Sequence, residues 1–227
     1  MRILVIFLMG IAAALCSNNN SNQVANDTEQ APTTATVAAM DTSDLSKAVV
    51  AGGCFWCVEG VYESVIGVEE AVSGYAGGTT ENPTYKMVGS GKTDHAEAVL
   101  IYYDSTKVDF PTLLNVFAAS TDITQVNGQG PDRGRAYRSI LFYNNEEEKE
   151  IINHKIEAWG NSGEYDKPIA IEVQALGTFW PAEDYHQDFV EHVPYNRGYV
   201  ENVSIPRIKA FQRAYPELVK PEKNLLK

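Results

Sequence analysis

Beyond residue 46, the apolar residues of the chain follow two alternating periods. Runs of β-branched and aromatic residues predict strands over Ala48–Ala51, Val68–Tyr75, Ala96–Tyr103, Tyr137–Tyr143 and Ile169–Leu176. Helical spacing predicts helices over Cys54 to about Ile66, over Phe110–Ala119, after a cap at Asn144 or Asn145, over Tyr185–Glu191 and over Arg207–Tyr215. The glycines and the proline of Gly74–Tyr85 predict a loop. This alternation, without a phosphate-binding glycine fingerprint, predicts an α/β fold in which a mixed sheet packs against helices in a sandwich.

The N-terminus has the pattern of an export signal. Arg2 precedes an apolar run, Ile3 to Leu15, which is too short to cross a bilayer. Cys16 follows directly, as in bacterial lipoprotein signals, although those usually carry a small residue where Leu15 stands. We therefore expect residues 1–15 to be a signal peptide and Cys16 to be lipidated. The alternatives are plain secretion, and an uncleaved anchor or a chance pattern. The protein would then be exported to the periplasm or cell envelope, and the lipid on Cys16 would attach it to a membrane.

The segment after the signal is polar and without aromatic residues. Residues 16–46 are rich in Asn, Ser, Thr, Ala and Gln and lack a sustained apolar period, so they cannot offset the entropy of ordering. This composition predicts a flexible tether over 16–46 and a single folded domain over 47–227.

Charge and cysteine content exclude several classes of function. The net charge of -12, without a basic stripe, argues against a nucleic-acid partner. The three cysteines, Cys16, Cys54 and Cys57, are too few for a disulfide framework or a four-cysteine zinc site.

Cys54 and Cys57 lie one turn apart at the start of a predicted helix, directly after two glycines. They can close a disulfide, and the amide groups and dipole of the helix start should favour the Cys54 thiolate. The alternative is a pair of buried structural cysteines. Val58 stands where a c-type haem would need histidine, and a zinc site would need two more ligands besides the cysteines, of which His95 offers one.

Glu97 interrupts an otherwise apolar strand. Alternation places it on the same face as Val99 and Ile101, so the carboxyl should point into a desolvated region, where its pKa should rise. A carboxyl of this kind suits a proton donor near neutral pH. The alternative is a glutamate on a solvated face of the strand.

Several ordered motifs resemble the type A peptide methionine sulfoxide reductases. They are Gly53-Cys54-Phe55-Trp56, Gly74-Tyr75, Gly77-Gly78, Asn82-Pro83-Thr84-Tyr85, His95-Ala96-Glu97-Ala98-Val99, Gln125-Val126-Asn127, Asp132 with Gly134, Tyr137-Arg138-Ser139 and Ala182-Glu183-Asp184-Tyr185-His186-Gln187. The resemblance spans about Val49 to Tyr195. It implies a two-layer sandwich with a ferredoxin-like core and a coil-rich C-terminal extension.

The resemblance also implies roles at the matching positions. Cys54 would be the nucleophile, Glu97, Tyr85 and Tyr137 would hydrogen-bond and protonate the sulfoxide oxygen, and Cys57 would be the resolving thiol. The substrate would contact the residues Phe55, Trp56, Asp132 and His186. The implied reaction is reduction of methionine S-sulfoxide, free or in oxidised proteins and peptides, through a sulfenic acid and a Cys54–Cys57 disulfide.

The implied chemistry needs no metal, flavin or other bound cofactor. The disulfide would instead be reduced by an external dithiol such as thioredoxin or an exported thioredoxin-like protein. Two departures from the family pattern lie near the site, namely Pro131 in place of the usual Asn and Arg135-Ala136 in place of Thr-Gln. The rival hypotheses are a thioredoxin-like oxidoreductase using the same cysteines and an exported lipoprotein that binds peptides without chemistry.

Overall fold

The computed structural model describes residues 41–192 and 197–227. The predicted signal peptide, Cys16 and most of the predicted tether lie outside the described residues. None of the helices in the described ranges combines the length and apolar character needed to cross a membrane.

The domain is built on one mixed sheet with a small separate hairpin. The sheet strands are β1 (Ser46–Gly52), β2 (Val68–Ala76), β3 (Ala96–Tyr103), β6 (Ser139–Tyr143), β7 (Glu172–Ala175) and β8 (Trp180–Pro181), and the hairpin pairs β4 (Gly128–Gln129) with β5 (Asp132–Arg133). The strand order is β7-β6-β1-β3-β2-β8, and only the β6–β7 pair among these described strands is parallel.

The helices are α1 (Phe55–Glu63), α2 (Tyr85–Gly89), α3 (Phe110–Ser120), α4 (Glu146–Asn161), α5 (Phe189–His192), α6 (Arg197–Tyr199) and α7 (Ile205–Ala214). A π-helical segment, Val200–Ser204, joins α6 to α7. Because α1 links β1 to β2 while β3 lies between them, the four strands β6-β1-β3-β2 have the arrangement of a ferredoxin-like core. The predicted fold class is confirmed, and the C-terminal part contains more helix than the coil-rich extension that we expected.

The larger core lies on one face of the sheet. There α1, α3 and α7 pack against one another and against inward-facing residues such as Val50, Ile101 and Leu141. A smaller cluster, which includes Val49, Ala51 and Phe142, covers the other face. Because side chains alternate along β1, neighbouring residues pack into different cores. Both faces of the buried part of β1 are therefore apolar.

Four predicted elements had wrong boundaries. The helix predicted over Tyr185–Glu191 is a short 3-10 helix, Asp184–His186, followed by α5. The first helix ends at Glu63 instead of near Ile66, because Val65 pairs with Val219 from the distant C-terminus and Gly67 adopts a φ of 89°. Tyr137 lies in a short 3-10 helix before β6 and not in the strand. β7 starts at Glu172, three residues later than the apolar pattern indicates.

Candidate active site

The turn before α1 fixes the position of the first cysteine. Gly53 has a φ of 87°, and a Cβ there would lie 2.4 Å from the Cβ of Gln129, so a side chain at this position would clash. Cys54 is the N-cap residue of α1, and its carbonyl accepts the backbone N–H of Cys57 at 3.1 Å and that of Val58 at 3.4 Å. The turn thus delivers Cys54 to the helix start, with Cys57 one turn later.

Both cysteines are free thiols and are buried. Burial raises the pKa of Cys54 well above its usual value, and hydrogen bonding to Cys57 and the charge of Glu97 raise it further. The predicted preference for a Cys54 thiolate is therefore wrong, because desolvation outweighs the helix start. The hydrogen bond from Cys54 has the opposite effect on its partner and lowers the pKa of Cys57.

Glu97 lies on β3 opposite Tyr75 of β2, and it is 1% exposed. Its Oε2 accepts the backbone N–H of Phe55 at 3.0 Å, directly beside Cys54 in the chain. Burial raises the pKa of Glu97 to about 8. The prediction of an inward-facing carboxyl with a raised pKa is confirmed, so a proton is present on this group at neutral pH.

The two tyrosines named by the sequence motifs share this environment. The ring of Tyr85 stacks on Phe55 with a centroid distance of 6.1 Å. Burial, followed by the negative charge of Glu97, raises the pKa of both Tyr85 and Tyr137, and the charges of Asp132 and Cys54 add to this. Both hydroxyls therefore keep their protons and can donate hydrogen bonds near Cys54 and Glu97.

An aromatic cluster lies beside the cysteine. The Trp56 indole N–H donates to Nδ1 of His186 at 3.0 Å, and the Trp56 ring stacks on Phe189 at a centroid distance of 3.7 Å. His186 is 1% exposed, and burial lowers its pKa to about 4. The ring is therefore neutral, with its proton on Nε2, since Nδ1 acts as the acceptor. The centroid of this neutral ring lies 4.9 Å from that of Phe55. Phe55, Trp56 and His186 therefore form an uncharged aromatic cluster, which suits contact with a methyl thioether.

Two residues of this site escaped the sequence analysis as functional candidates. Tyr199 donates its hydroxyl proton to Oδ2 of Asp132 at 2.6 Å, and it lines the same cavity as Cys57. Glu183 accepts the Tyr75 hydroxyl at 2.7 Å and the Tyr85 backbone N–H at 3.0 Å. Glu183 stands within a quoted motif, whereas no local pattern distinguishes Tyr199 from the other tyrosines.

A cavity of about 290 Å³ opens on the Cys57 side of the site. Its lining consists of Cys57, Ser120, Gln129, Gly130, Pro131, Asp132, Tyr199, Asn202, Val203 and Arg207. Pro131, one of the departures from the family pattern, therefore lies at the edge of this cavity.

The candidate metal ligands are engaged in contacts within the protein. Both ring nitrogens of His95 have partners, because Nδ1 accepts the Gly78 N–H at 3.2 Å and Nε2 lies 2.8 Å from the Thr80 carbonyl oxygen. Carboxylate oxygens of Glu63, Glu70 and Asp188 lie within 4.8 Å of one another near the far end of α1. Burial and a hydrogen bond with Asp188 raise the pKa of Glu63 to about 8. A proton shared between these carboxyl groups therefore explains why they lie so close together.

Comparison with known proteins decides the family. The family model described as peptide methionine sulfoxide reductase matches residues 46–218. The chain belongs to this family. As a peptide methionine sulfoxide reductase of type A, it is an oxidoreductase that catalyses thiol-dependent reduction of methionine sulfoxide.

The similarity extends over nearly the whole length of curated relatives. The chain is 45% identical over 172 residues to the peptide methionine sulfoxide reductase MsrA of Natronomonas pharaonis, covering 76% of this chain and 96% of the relative. It is 41% identical over 175 residues to MsrA of Trichodesmium erythraeum, covering 77% and 98%.

Solved structures of the reductase family have the same fold. The reduced form of Mxr1 from Saccharomyces cerevisiae superposes with a TM-score of 0.62 at 31% identity, covering 69% of this chain and 90% of that one. Methionine sulfoxide reductase A of Corynebacterium diphtheriae gives a TM-score of 0.60 at 30% identity, covering 69% and 79%.

Proposed function

We propose that this reductase acts on the S epimer of methionine sulfoxide, free or in oxidised proteins and peptides, with Cys54 as nucleophile and Cys57 as resolving thiol. The observation that carries the proposal is the buried, protonated carboxyl of Glu97 beside the N-cap cysteine of α1. Reduction of a sulfoxide requires a donor that protonates the departing oxygen, and Glu97 is placed to be that donor.

The first step transfers oxygen from the substrate to Cys54. The Cys54 sulfur attacks the sulfoxide sulfur while Glu97 gives its proton to the oxygen, and hydrogen bonds from Tyr85 and Tyr137 stabilise the developing charge. The proton of the Cys54 thiol restores the acid form of Glu97. Methionine leaves reduced, and Cys54 becomes a sulfenic acid.

The substrate methyl group is proposed to lie against Phe55 and Trp56. The hydrogen bond from Trp56 to His186 holds the indole in place, and Asp132 offers an acceptor for a polar group of the substrate backbone. These contacts would let the site distinguish the two sulfoxide epimers, because exchanging the oxygen and the lone pair moves the oxygen away from Glu97.

The second step forms a disulfide. The Cys57 sulfur attacks Cys54, the S–O bond breaks, and the departing hydroxide takes up a proton to give water. An external dithiol, thioredoxin or an exported thioredoxin-like protein, then reduces the disulfide and returns both thiols.

To test this proposal, the full chain is incubated with dithiothreitol and with either the R or the S epimer of a methionine sulfoxide peptide, and the methionine formed is measured. We expect methionine from the S epimer alone and none from either epimer with Cys54→Ser. Equal turnover of both epimers would contradict the proposed selectivity. Full activity of Cys54→Ser would exclude Cys54 as the nucleophile.

We further propose that the protein is exported and tethered to the cell envelope by a lipid on Cys16, so that the enzyme repairs proteins outside the cytoplasm. The support is the sequence pattern of a short apolar run followed by Cys16 and a polar, low-complexity segment.

A further inference from the structure

The residues around Cys57 differ in kind from those around Cys54. Cys54 has the carboxyl of Glu97 as its neighbour, whereas the Cys57 thiol donates a 3.1 Å hydrogen bond to Oγ of Ser204, which is fully buried in the π-helical segment. Once Cys57 is a thiolate, the Ser204 hydroxyl can donate to it over the same distance. Arg207, the next polar side chain of this helix, lines the same cavity as Cys57. Arg207 and Ser204 thus distinguish the surroundings of Cys57 from those of Cys54.

The guanidinium of Arg207 is held in place by neutral acceptors. Its Nε donates to the carbonyl of Ser120, and its Nη2 donates to Oγ1 of Thr121 at 2.7 Å. Its Nη1 lies 3.5 Å from the position that a Cβ on Gly53 would take, beside the turn that leads into Cys54. Within residues 41–192 and 197–227 it makes no salt bridge, so no carboxylate there neutralises its charge at short range.

We propose that Arg207 and Ser204 are positioning residues that hold Cys57 as a thiolate, so that the resolving cysteine is already activated when Cys54 becomes a sulfenic acid. This inference rests on the proposed function, in which Cys57 resolves Cys54. The thiolate is the nucleophilic form of cysteine, and a neighbouring arginine is one of the surroundings that favour it.

The activation matters most after the first step. In the reduced enzyme, the hydrogen bond from the Cys54 thiol is the largest effect that lowers the pKa of Cys57, followed by the charge of Arg207 and hydrogen bonding from Ser204. Oxidation of Cys54 removes the thiol proton that makes this first hydrogen bond. Burial raises the pKa of Cys57, so Arg207 and Ser204 are then the groups that offset burial and stabilise the thiolate.

Among the other acidic groups facing Cys57, the Asp132 carboxylate opposes a thiolate, whereas Glu97 and Cys54 are uncharged at neutral pH. Glu97 carries a proton there, because its pKa is raised to about 8 by burial. Asp132 lines the same cavity, and its carboxylate accepts the Tyr199 hydroxyl at 2.6 Å. Arg207 is the cation among these groups, and Cys54 has its own pKa raised by burial and remains a thiol.

In the resolving step, the Cys57 thiolate forms the S–S bond with Cys54 and the S–O bond of the sulfenic acid breaks. The Cys54 sulfur is reduced and the Cys57 sulfur is oxidised. The hydroxide takes up one proton to give water, which balances the proton that Cys57 lost when it became a thiolate. The net change is the loss of one water molecule from a sulfenic acid and a thiol.

The test compares Arg207→Met, Arg207→Lys and Ser204→Ala with the unmodified full chain. The control is Arg213→Met, which removes an exposed arginine from the same helix, α7. The first measurement is the pH dependence of iodoacetamide alkylation at Cys57, mapped by peptide mass spectrometry so that Cys16 and Cys54 do not interfere. The second is the rate of disulfide formation after one turnover with a methionine sulfoxide peptide.

We expect Arg207→Met to raise the alkylation midpoint by about one pH unit and to slow disulfide formation about tenfold at neutral pH. Ser204→Ala should change both in the same direction by less, while Arg207→Lys and Arg213→Met should stay within about twofold of the unmodified chain. Circular dichroism and an intact burst of one methionine per enzyme verify that each variant is folded.

Unchanged midpoints in Arg207→Met and Ser204→Ala would overturn the inference, as would an equal loss in Arg207→Lys and Arg207→Met. The alkylation midpoint does not depend on turnover. If the unmodified chain released no methionine, the proposed function would fail, while the midpoint would still decide whether Arg207 and Ser204 stabilise a thiolate at Cys57.

Discussion

The backbone N–H of Phe55 donates a 3.0 Å hydrogen bond to Oε2 of Glu97, which joins the first turn of α1 to the start of β3. The proposed nucleophile therefore precedes a residue that is bonded directly to the proposed proton donor. The bond alone lowers the pKa of the carboxyl, but burial outweighs it and raises the pKa to about 8. The contact thus orients Glu97 while desolvation keeps it protonated.

Replacing Glu97 should slow methionine release, because neither alanine nor glutamine can transfer a proton to the sulfoxide oxygen. We expect Glu97→Gln to lower the single-turnover rate by on the order of 100-fold and Glu97→Ala to lower it further. With the unmodified chain, the part of the rate that depends on this acid should decline as the pH rises past about 8, where Glu97 loses its proton. Rapid-quench measurement of methionine from about pH 6 to 9 checks both, and equal rates in all three proteins would exclude Glu97 as the acid.

The same carboxyl should make the stability of the domain depend on pH. Glu97 ionises near its ordinary pKa of 4.5 in the unfolded chain and near 8 in the folded protein, so the folded state binds more protons between these values. Its contribution to stability therefore falls as the pH rises from 4.5 to 8. Glutamine does not ionise, so Glu97→Gln does not lose stability in this way. The Tm of Glu97→Gln minus that of the unmodified chain should therefore increase by about 2 °C or more between pH 5 and pH 8.

Scanning calorimetry of both proteins across this pH range measures the difference in Tm. Glu150→Gln, at an exposed position of α4, is the control for removal of an unburied carboxylate. A Tm difference for Glu97→Gln that stays constant with pH would show that Glu97 has the same pKa in the folded and unfolded states.

Cys57→Ser should allow one turnover and then stop, because the predicted domain then has no second thiol to attack the oxidised Cys54. The remaining cysteine, Cys16, lies before the predicted domain. We expect about one equivalent of methionine per enzyme and a Cys54 sulfenic acid that a dimedone probe traps for mass spectrometry. Sustained turnover with thioredoxin as the sole reductant would mean that the sulfenic acid is reduced directly, without an internal disulfide.

Cys16→Ala should release the protein from the membrane fraction, because the proposed lipid anchor requires this thiol. Fractionation of cells that produce each form, with mass spectrometry of the mature N-terminus, measures the change. Cys57→Ala is a matched cysteine substitution that should keep the protein in the membrane fraction. A soluble mature protein that begins elsewhere than at Cys16 would contradict lipidation.

The sequence alone determined the parts of this protein that depend on local geometry. A period of two placed Glu97 on an inward face of β3, and the two glycines followed by Cys54 and Phe55 predicted a turn into a helix with its cysteines one turn apart. The ordered motifs predicted the family, which the comparison confirmed. These features are readable because side-chain direction and turn geometry follow from a few consecutive residues.

Tertiary structure decided everything that depends on residues far apart in the chain. Tyr199 hydrogen-bonds to Asp132, 67 positions away, and Val219 pairs with Val65 just after the end of α1. Arg207 lines the same cavity as Cys57. The helix start predicted a Cys54 thiolate, but burial among distant elements reversed that preference. Desolvation and long-range charge set the pKa of a buried thiol, and a sequence period carries no information about either.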